Sequence, residues 1–290
     1  MDYKSIKRHV PENAAKEIPP GNPACPVNGR DVYRALASHK TIVMACNIRI
    51  PLVIPGIMRA AKELDAVVAF ELAKSEGDLK GGYTGMTPEI FVRTIVAAAK
   101  RAEFDTPFVI HGDHITVKNT SEAEVEGARA LIAAELAAGY TSFAIDASFN
   151  EIPDNARITA SLAGPIAART LGLEVEVGEI KSVGTEAHLS TVEEAVDLME
   201  RLTAAGVHPD LLAMVCPEFA ELPQRTPDLL QSLLHRHLLG QAVGPHLHTG
   251  RAHVLCQDDV LLRGLDVLAQ LGLIGRVIIE RAAQAHQLDR

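Results

Sequence analysis

Short apolar runs alternate along this chain with longer stretches in which apolar residues recur every three to four positions. That is the pattern of a parallel sheet covered by helices. Eight runs read as strands: Thr41–Cys46, Ala66–Leu72, Pro107–Ile110, Ser142–Asp146, Leu173–Val177, Asp210–Val215, Gln241–His246 and Arg276–Ile279. Between them, Thr87–Arg101, Ser121–Ala138, Val192–Ala205, Pro227–Leu239 and Asp258–Leu271 carry helical periodicity. Helix starts are marked by Thr87-Pro88, by Thr120-Ser121-Glu122 and by Ser190 with Glu193 behind it, and Gly139, Gly206 and Gly240 stand where C-terminal caps belong.

Eight strand–helix units predict an α/β fold, a single-domain (β/α)8 TIM barrel over residues 31–290, entered through a Pro-rich lead-in over residues 1–30 that places an extra helix across the barrel bottom. A doubly wound open sheet is the alternative. Its Gly-x-Gly-x-x-Gly turn is absent after the first predicted strand, so the barrel is preferred.

Composition narrows the setting. The 290 residues are 47% hydrophobic and 22% charged, and no apolar run approaches the roughly 20 residues that span a bilayer. A formal charge of -9 argues against nucleic acid or an anionic membrane as the main partner. The four cysteines, Cys25, Cys46, Cys216 and Cys256, form no C-x-x-C pair, and the N-terminus lacks the apolar core of a secretory signal, so a reduced, cytoplasmic setting is expected. Cys46 and Cys216 each end an apolar run and read as small buried hydrophobes.

The candidate chemistry collects at strand ends, where a barrel keeps its active site. The run Phe108-Val109-Ile110 delivers His111, Asp113 and His114 at the end of strand three. Strand four ends in Asp146 and Ser148, strand five carries Glu174 and Glu176, and strand seven ends in His246, His248, Thr249 and Gly250. Neutral imidazole and carboxylate oxygens together suit a divalent transition metal, zinc foremost, with a second carboxylate free to handle protons. The remaining histidines, such as His9, His39 and His208, belong to no constellation and read as surface or capping residues.

These motifs carry a family resemblance. His111-Gly112-Asp113-His114 resembles the His-x-Asp-His motif of class II, metal-dependent fructose-bisphosphate aldolases. Residues 140–148 resemble their following Ile-Asp-Gly-Ser strand, Glu174-Val175-Glu176-Val177-Gly178 their Glu-x-Glu-Leu-Gly strand, and His246-Leu247-His248-Thr249-Gly250 their His-Gly-Gly-Ser/Thr-Gly. All four occur in family order. Gly81-Gly82-Tyr83-Thr84-Gly85-Met86-Thr87-Pro88 and Pro51-Leu52-Val53-Ile54 are similar to segments of the tagatose-bisphosphate aldolase subunit branch of the same superfamily, and the first of these is read as an active-site lid.

The resemblance implies that His114 and His246 ligate zinc, or manganese, iron or cobalt in its place. It implies that Asp113 is the general acid/base at the ketose C4 hydroxyl, that Glu176 enters the metal shell, that Thr249 and Gly250 cradle phosphate, and that Asp146 and Ser148 support substrate or metal. Where the family has a strand-six histidine this chain reads Cys216-Pro217-Glu218, so His248 is assigned to the vacancy, ahead of Glu218. Glu186 is assigned the role of the family's second catalytic carboxylate, and Lys74, Ser75, Lys181 and Arg251 the rebuilding of the phosphate site.

The implied activity is reversible cleavage of fructose 1,6-bisphosphate to dihydroxyacetone phosphate and glyceraldehyde 3-phosphate by a homodimer or homotetramer. Two other readings stand beside it: a noncatalytic partner subunit of a tagatose-bisphosphate aldolase, and a metal-dependent hydrolase built on His246 and His248. The hydrolase is disfavoured because such enzymes carry their His-x-His pair on the first barrel strand.

Overall fold

A computed structural model describes residues 3–37, 39, 41–178 and 190–214. Six strands run parallel and in chain order: β1 (Met44–Asn47), β2 (Val68–Ala73), β3 (Phe108–Thr116), β4 (Ser142–Asp146), β5 (Gly172–Val177) and β6 (Leu211–Met214). Each pairs with the next, as consecutive strands of a (β/α) half-barrel do. The seventh and eighth predicted strands, and the helices predicted over Pro227–Leu239 and Asp258–Leu271, lie outside the described residues.

The helices are α1 (Glu12–Ala15), α2 (Gly29–Leu36), α3 (Ile54–Leu64), α4 (Pro88–Arg101), α5 (Glu122–Ala138), α6 (Ile152–Ala167) and α7 (Val192–Ala204). Local chemistry sets their ends. Thr87 and Ser121 accept the N3 amides of α4 and α5, and Gly139 closes α5 at φ 101°, a left-handed conformation that glycine adopts without steric cost. The capping box of α7 is Thr191 with Glu194, one residue later than the Ser190–Glu193 reading, because the buried Ser190 hydroxyl donates instead to the Val177 carbonyl at 2.7 Å and ties the helix start to β5.

Apolar packing falls into two bodies. One lies between strands and helices, where Phe70, Ile110, Phe143, Ile145 and Val175 meet Phe91, Ile95, Leu131, Leu162 and Leu198. The other is a plug in which Cys25, Val27, Val32 and Tyr33 pack on Ala69, Val109 and Leu211. Burial of each large side chain in these bodies contributes about 1.5–3 kcal/mol.

The plug explains the Pro-rich lead-in. Val27 donates to Phe108 O at 2.8 Å, Phe108 donates to Cys25 O at 3.1 Å, and Gly29 donates to Thr141 O at 3.0 Å. Asn28 and Asn13 side-chain amides donate to the carbonyls of Thr170 and Tyr140 at 2.9 and 2.8 Å. Each partner of the lead-in, Phe108, Tyr140, Thr141 and Thr170, lies at the start of a strand or just before it. The segment thus seals the N-terminal face of the sheet, and α2 runs across the boundary drawn at residue 30.

Strand β3 departs from the sequence reading. It does not end at Ile110 but continues through the polar motif to Thr116. Gly112 pairs with Phe143 and Ile115 with Ile145, so β3 takes three steps where β4 takes two, which is a β-bulge.

Candidate metal centre and active site

The bulge decides where the motif's side chains go. In an unbroken strand His111 and Asp113 would share one face, and Gly112 and His114 the other. Gly112 faces the helix layer, since a Cβ there would stand 2.5 Å from Glu135 Oε2 on α5. His111 and Asp113 therefore turn inward. The extra residue carries His114 at φ 40°, left-handed backbone that is uncommon for a residue with a side chain. The bulge returns the His114 imidazole to the inner side, where it meets carboxylates from two other strands.

His114 Nδ1 lies 2.7 Å from Glu176 Oε1 and 3.6 Å from Asp146 Oδ2, and its Nε2 lies 4.0 Å from Asp113 Oδ1. One donor atom from each of His114, Asp146 and Glu176 falls within a 4.8 Å span. Ser148 fixes the second oxygen of Asp146, donating its hydroxyl at 2.6 Å and its amide at 3.1 Å. Asparagine 155 anchors the strand beneath, its amide donating to Glu176 O at 2.9 Å.

Electrostatics follow from crowding. Burial works against the His114 imidazolium, but hydrogen bonds to Asp146 and Glu176 and the Asp113 charge override it and push the group up to about 12. Burial, then the Asp146 charge, raises Glu176 to about 7. Burial also raises Asp113, against the pull of His114. Asp146 ends below the usual carboxylate range because its bonds to His114 and Ser148 outweigh its burial. Without metal, the imidazolium supplies the positive charge that these carboxylates require.

A cleft of about 260 Å³ opens beside the cluster, lined by Ala73, Ser75, His114, Thr116, Asp146, Ser148, Phe149, Glu176 and Gly178. Every lining residue lies at or beyond the C-terminal part of β2 to β5, which is where barrel enzymes place their chemistry. A larger cavity of about 360 Å³, lined among others by Lys16, Arg129 and Arg169, lies against the outer helices α5 and α6, with no cluster of metal-ligating groups.

The structure thus brings together Asp113, His114, Asp146, Ser148, Glu176 and Ser75 from the sequence prediction. Lys74 stands nearby with its amine committed, donating to Thr116 O at 2.6 Å and lying 4.0 Å from Glu124. Glu186, Lys181, Glu218, His246, His248, Thr249, Gly250 and Arg251 lie outside the described residues.

Three residues at this face were missed. Glu76 accepts from Asn47 at 2.6 Å, from the Ala73 amide at 2.9 Å, from Tyr83 at 3.0 Å and from Arg49. The hydroxyl of Thr84 caps the Glu76 carbonyl at 2.7 Å, so the Gly81–Pro88 segment wraps this carboxylate. Gly82 sits at φ 53°, where a Cβ would lie 2.4 Å from Glu76 backbone atoms. Arg49, which follows β1, is the second missed residue, and its side chain is 62% exposed beside a buried partner. Glu71 on β2 is the third; its carboxylate lies in a buried group with His111 and Asp113. A charged residue inside an otherwise apolar strand was the available signal for Glu71.

Comparison with known proteins gives the class. Residues 27–216 match the family described as fructose-bisphosphate aldolase class-II, and the chain belongs to that family. It is 29% identical over 171 residues to a fructose-bisphosphate aldolase of Giardia intestinalis, covering 59% of this chain and 46% of that protein. It is 25% identical over 187 residues to the D-tagatose-1,6-bisphosphate aldolase subunit GatZ of Escherichia coli, covering 56% of this chain and 44% of that subunit. The chain thus spans less than half the length of the curated relatives it matches. The fold resembles the crystal structure of a fructose-bisphosphate aldolase from Campylobacter jejuni, with a TM-score of 0.55 at 17% identity over 77% of this chain and 67% of the other. Among the described residues no helix is long and apolar enough to cross a membrane.

Proposed function

We propose that this chain is a metal-dependent ketose-bisphosphate aldolase that cleaves fructose 1,6-bisphosphate reversibly to dihydroxyacetone phosphate and glyceraldehyde 3-phosphate. The observation that carries the reading is the His114 imidazole held between Glu176 and Asp146, with the Asp113 carboxylate beside it, at the mouth of a cleft in the family-matched span. Nitrogen and oxygen donors at this spacing fit a divalent transition ion, zinc in the first instance, and manganese, iron or cobalt by the same chemistry. His114 and Glu176 would hold it, together with His246 and His248. Such an ion would supply Lewis-acid polarisation of the ketose carbonyl, which would remove the need for a Schiff-base lysine.

The chain's own groups do the rest. Asp113 takes the proton from the C4 hydroxyl during cleavage and returns it during condensation, since burial keeps its affinity for a proton above that of an ordinary carboxylate. Ser148 and Asp146 fix the position of His114. Glu186 serves the second proton transfer, on the dihydroxyacetone phosphate side. Lys74, Ser75, Lys181, Thr249, Gly250 and Arg251 bind the phosphates, backbone amides such as those of Thr249 and Gly250 being suited to an anion. In this reading the chain acts as a homo-oligomer and works in the cytoplasm.

The likeness to a tagatose-bisphosphate aldolase subunit favours a second reading, in which the chain supports a separate catalytic aldolase chain. One experiment separates them: metal analysis of the purified protein joined to a cleavage assay with fructose and tagatose 1,6-bisphosphates, before and after chelation. Cleavage that falls on chelation and returns with metal supports the aldolase. A chain with neither stoichiometric metal nor cleavage is the supporting subunit.

A further inference from the structure

The cavity of about 360 Å³ sits between α1, α5 and α6, on the outer wall of the half-barrel. Its lining comes from the C-terminal halves of α5 and α6, which return toward the N-terminal ends of the strands, so it stands at the opposite end of the sheet from the cleft. The floor is apolar. Ile132 and Leu136 of α5 and Leu162 of α6 are buried, while Pro165 and the exposed Ala133 and Ala137 form the sides. Asn13 closes one end, its side-chain amide donating to Leu136 O at 3.1 Å and to Tyr140 O at 2.8 Å.

Three cations stand over that floor, Lys16, Arg129 and Arg169, and among the described residues no acidic one lines it. A defect in α6 fixes two of them. Pro165 lies inside the helix and has no N–H for the Ser161 carbonyl one turn back, so Arg129 reaches across from α5 and donates its Nη1 there at 3.0 Å. The Pro165 carbonyl belongs to the last turn of α6, where it accepts Arg169 Nη1 at 3.0 Å. These two anchor points are one helical turn apart, about 6 Å along the axis, so the guanidiniums are held side by side. Arg129 spends a further N–H on Glu126 at 2.9 Å, and the remaining N–H groups of both forks are available to a ligand.

Charge selects the head group. Lys16 lies 3.9 Å from Glu17 and Arg129 2.9 Å from Glu126, so two carboxylates offset two of the three cations and a single positive charge is left over. A monoanion matches that surplus, and a phosphate dianion exceeds it.

We propose that this cavity binds a small amphipathic carboxylate, with its aliphatic body on Ile132, Leu136 and Leu162 and its carboxylate on Arg129 and Arg169. Guanidinium forks take a carboxylate through paired hydrogen bonds, and a mostly apolar cavity of this volume with a few fixed polar groups suits a small molecule. The site stands apart from the aldolase reading, because it shares no residue with the cleft.

Octanoate is the probe, titrated calorimetrically into the full chain beside acetate, octanol, octyltrimethylammonium and octyl phosphate. Octanoate should bind one to one. Acetate lacks the body, octanol the charge and octyltrimethylammonium its sign, so each should bind about tenfold or more weakly. Arg169→Glu should weaken octanoate by about tenfold or more, and Ala133→Phe, which fills the cavity from an exposed position and keeps every cation, should block it. Equal affinity for octanoate and octanol overturns the proposal, as does the absence of saturable uptake or an octanoate affinity that the substitutions leave unchanged. Octyl phosphate binding tighter than octanoate overturns the choice of head group. Each substitution decides alone, so misfolding of one does not stall the test.

Discussion

His114 and Glu176 meet at 2.7 Å although a whole strand, β4, lies between their own. The contact exists because β3 carries one residue more than β4 across the motif, which swings an imidazole due to face outward back to the inner side. Asp113 and His114 are neighbours in sequence that a regular strand would set on opposite faces. The bulge allows both to serve one cleft.

Separate roles follow for those two neighbours. His114→Ala should remove the ion of the mouth centre and cleavage together. Asp113→Asn should keep that ion yet lose about 100-fold or more in kcat, the usual scale for a lost general acid/base. Elemental analysis beside steady-state kinetics checks both, and turnover at wild-type level in either variant ends the assignment.

Metal uptake at the mouth should strengthen with pH. The metal-free His114 holds its proton up to about 12, and an ion binds only the neutral ring, so each ion taken up at neutral pH releases that proton. Between about 7 and about 12 the apparent affinity should rise roughly tenfold per pH unit, and below about 7 more steeply, as the Glu176 proton must leave too. Competition with a chromogenic chelator at pH 6, 7 and 8 measures the slope. An affinity flat across that range would mean that His114 does not ligate.

Much of this frame was legible in the sequence, for physical reasons that also mark where legibility stopped. Ser142–Asp146 was read to the residue because α5 ends at a left-handed glycine just before it and a turn stabilised by Asp146 and Ser148 follows it. The end of β3 was misread because polarity was taken for exit from the sheet, whereas the barrel interior is itself polar at this level. Glu71 was passed over within an apolar strand, and nothing local in the sequence tells that Glu76 gathers Asn47 from the end of β1, Arg49 just after it and Tyr83 from the segment before α4. The wrapped Gly81–Pro88 segment also qualifies the reading of a lid, since it is tied to Glu76 at both Tyr83 and Thr84.

Glu76→Ala should therefore loosen the rim of the cleft rather than the barrel. It strands the Ala73 amide and the Asn47 side-chain amide, each donor left buried without a partner costing about 1–3 kcal/mol, and it releases the exposed Tyr83 ring, whose hydroxyl turns to water. Limited proteolysis should show new cutting within residues 78–86 and unchanged protection of the β3–β5 strands. Unaltered cutting in that segment would show that the carboxylate does not hold it.

Gly112 and Glu135 offer the sharpest test of packing. A methyl group at Gly112 would stand 2.5 Å from Glu135 Oε2, so Gly112→Ala should destabilise by about 1–3 kcal/mol, the scale of overpacking, and shortening the opposing side chain in Gly112→Ala/Glu135→Ala should recover part of that loss. The same pair has a pH signature. Glu135 is fully buried, its Oε2 has no partner, and burial followed by the Asp113 charge holds its carboxyl well above the usual range. A carboxyl raised on folding leaves stability intact below its unfolded value, about 4.5, and erodes it as pH climbs toward the folded value. Glu135→Gln, which cannot ionise, should therefore gain on wild type as pH rises from 4.5 to 8. Urea denaturation across that range measures the difference, and parallel curves for the two proteins would show that Glu135 ionises as easily in the core as in water.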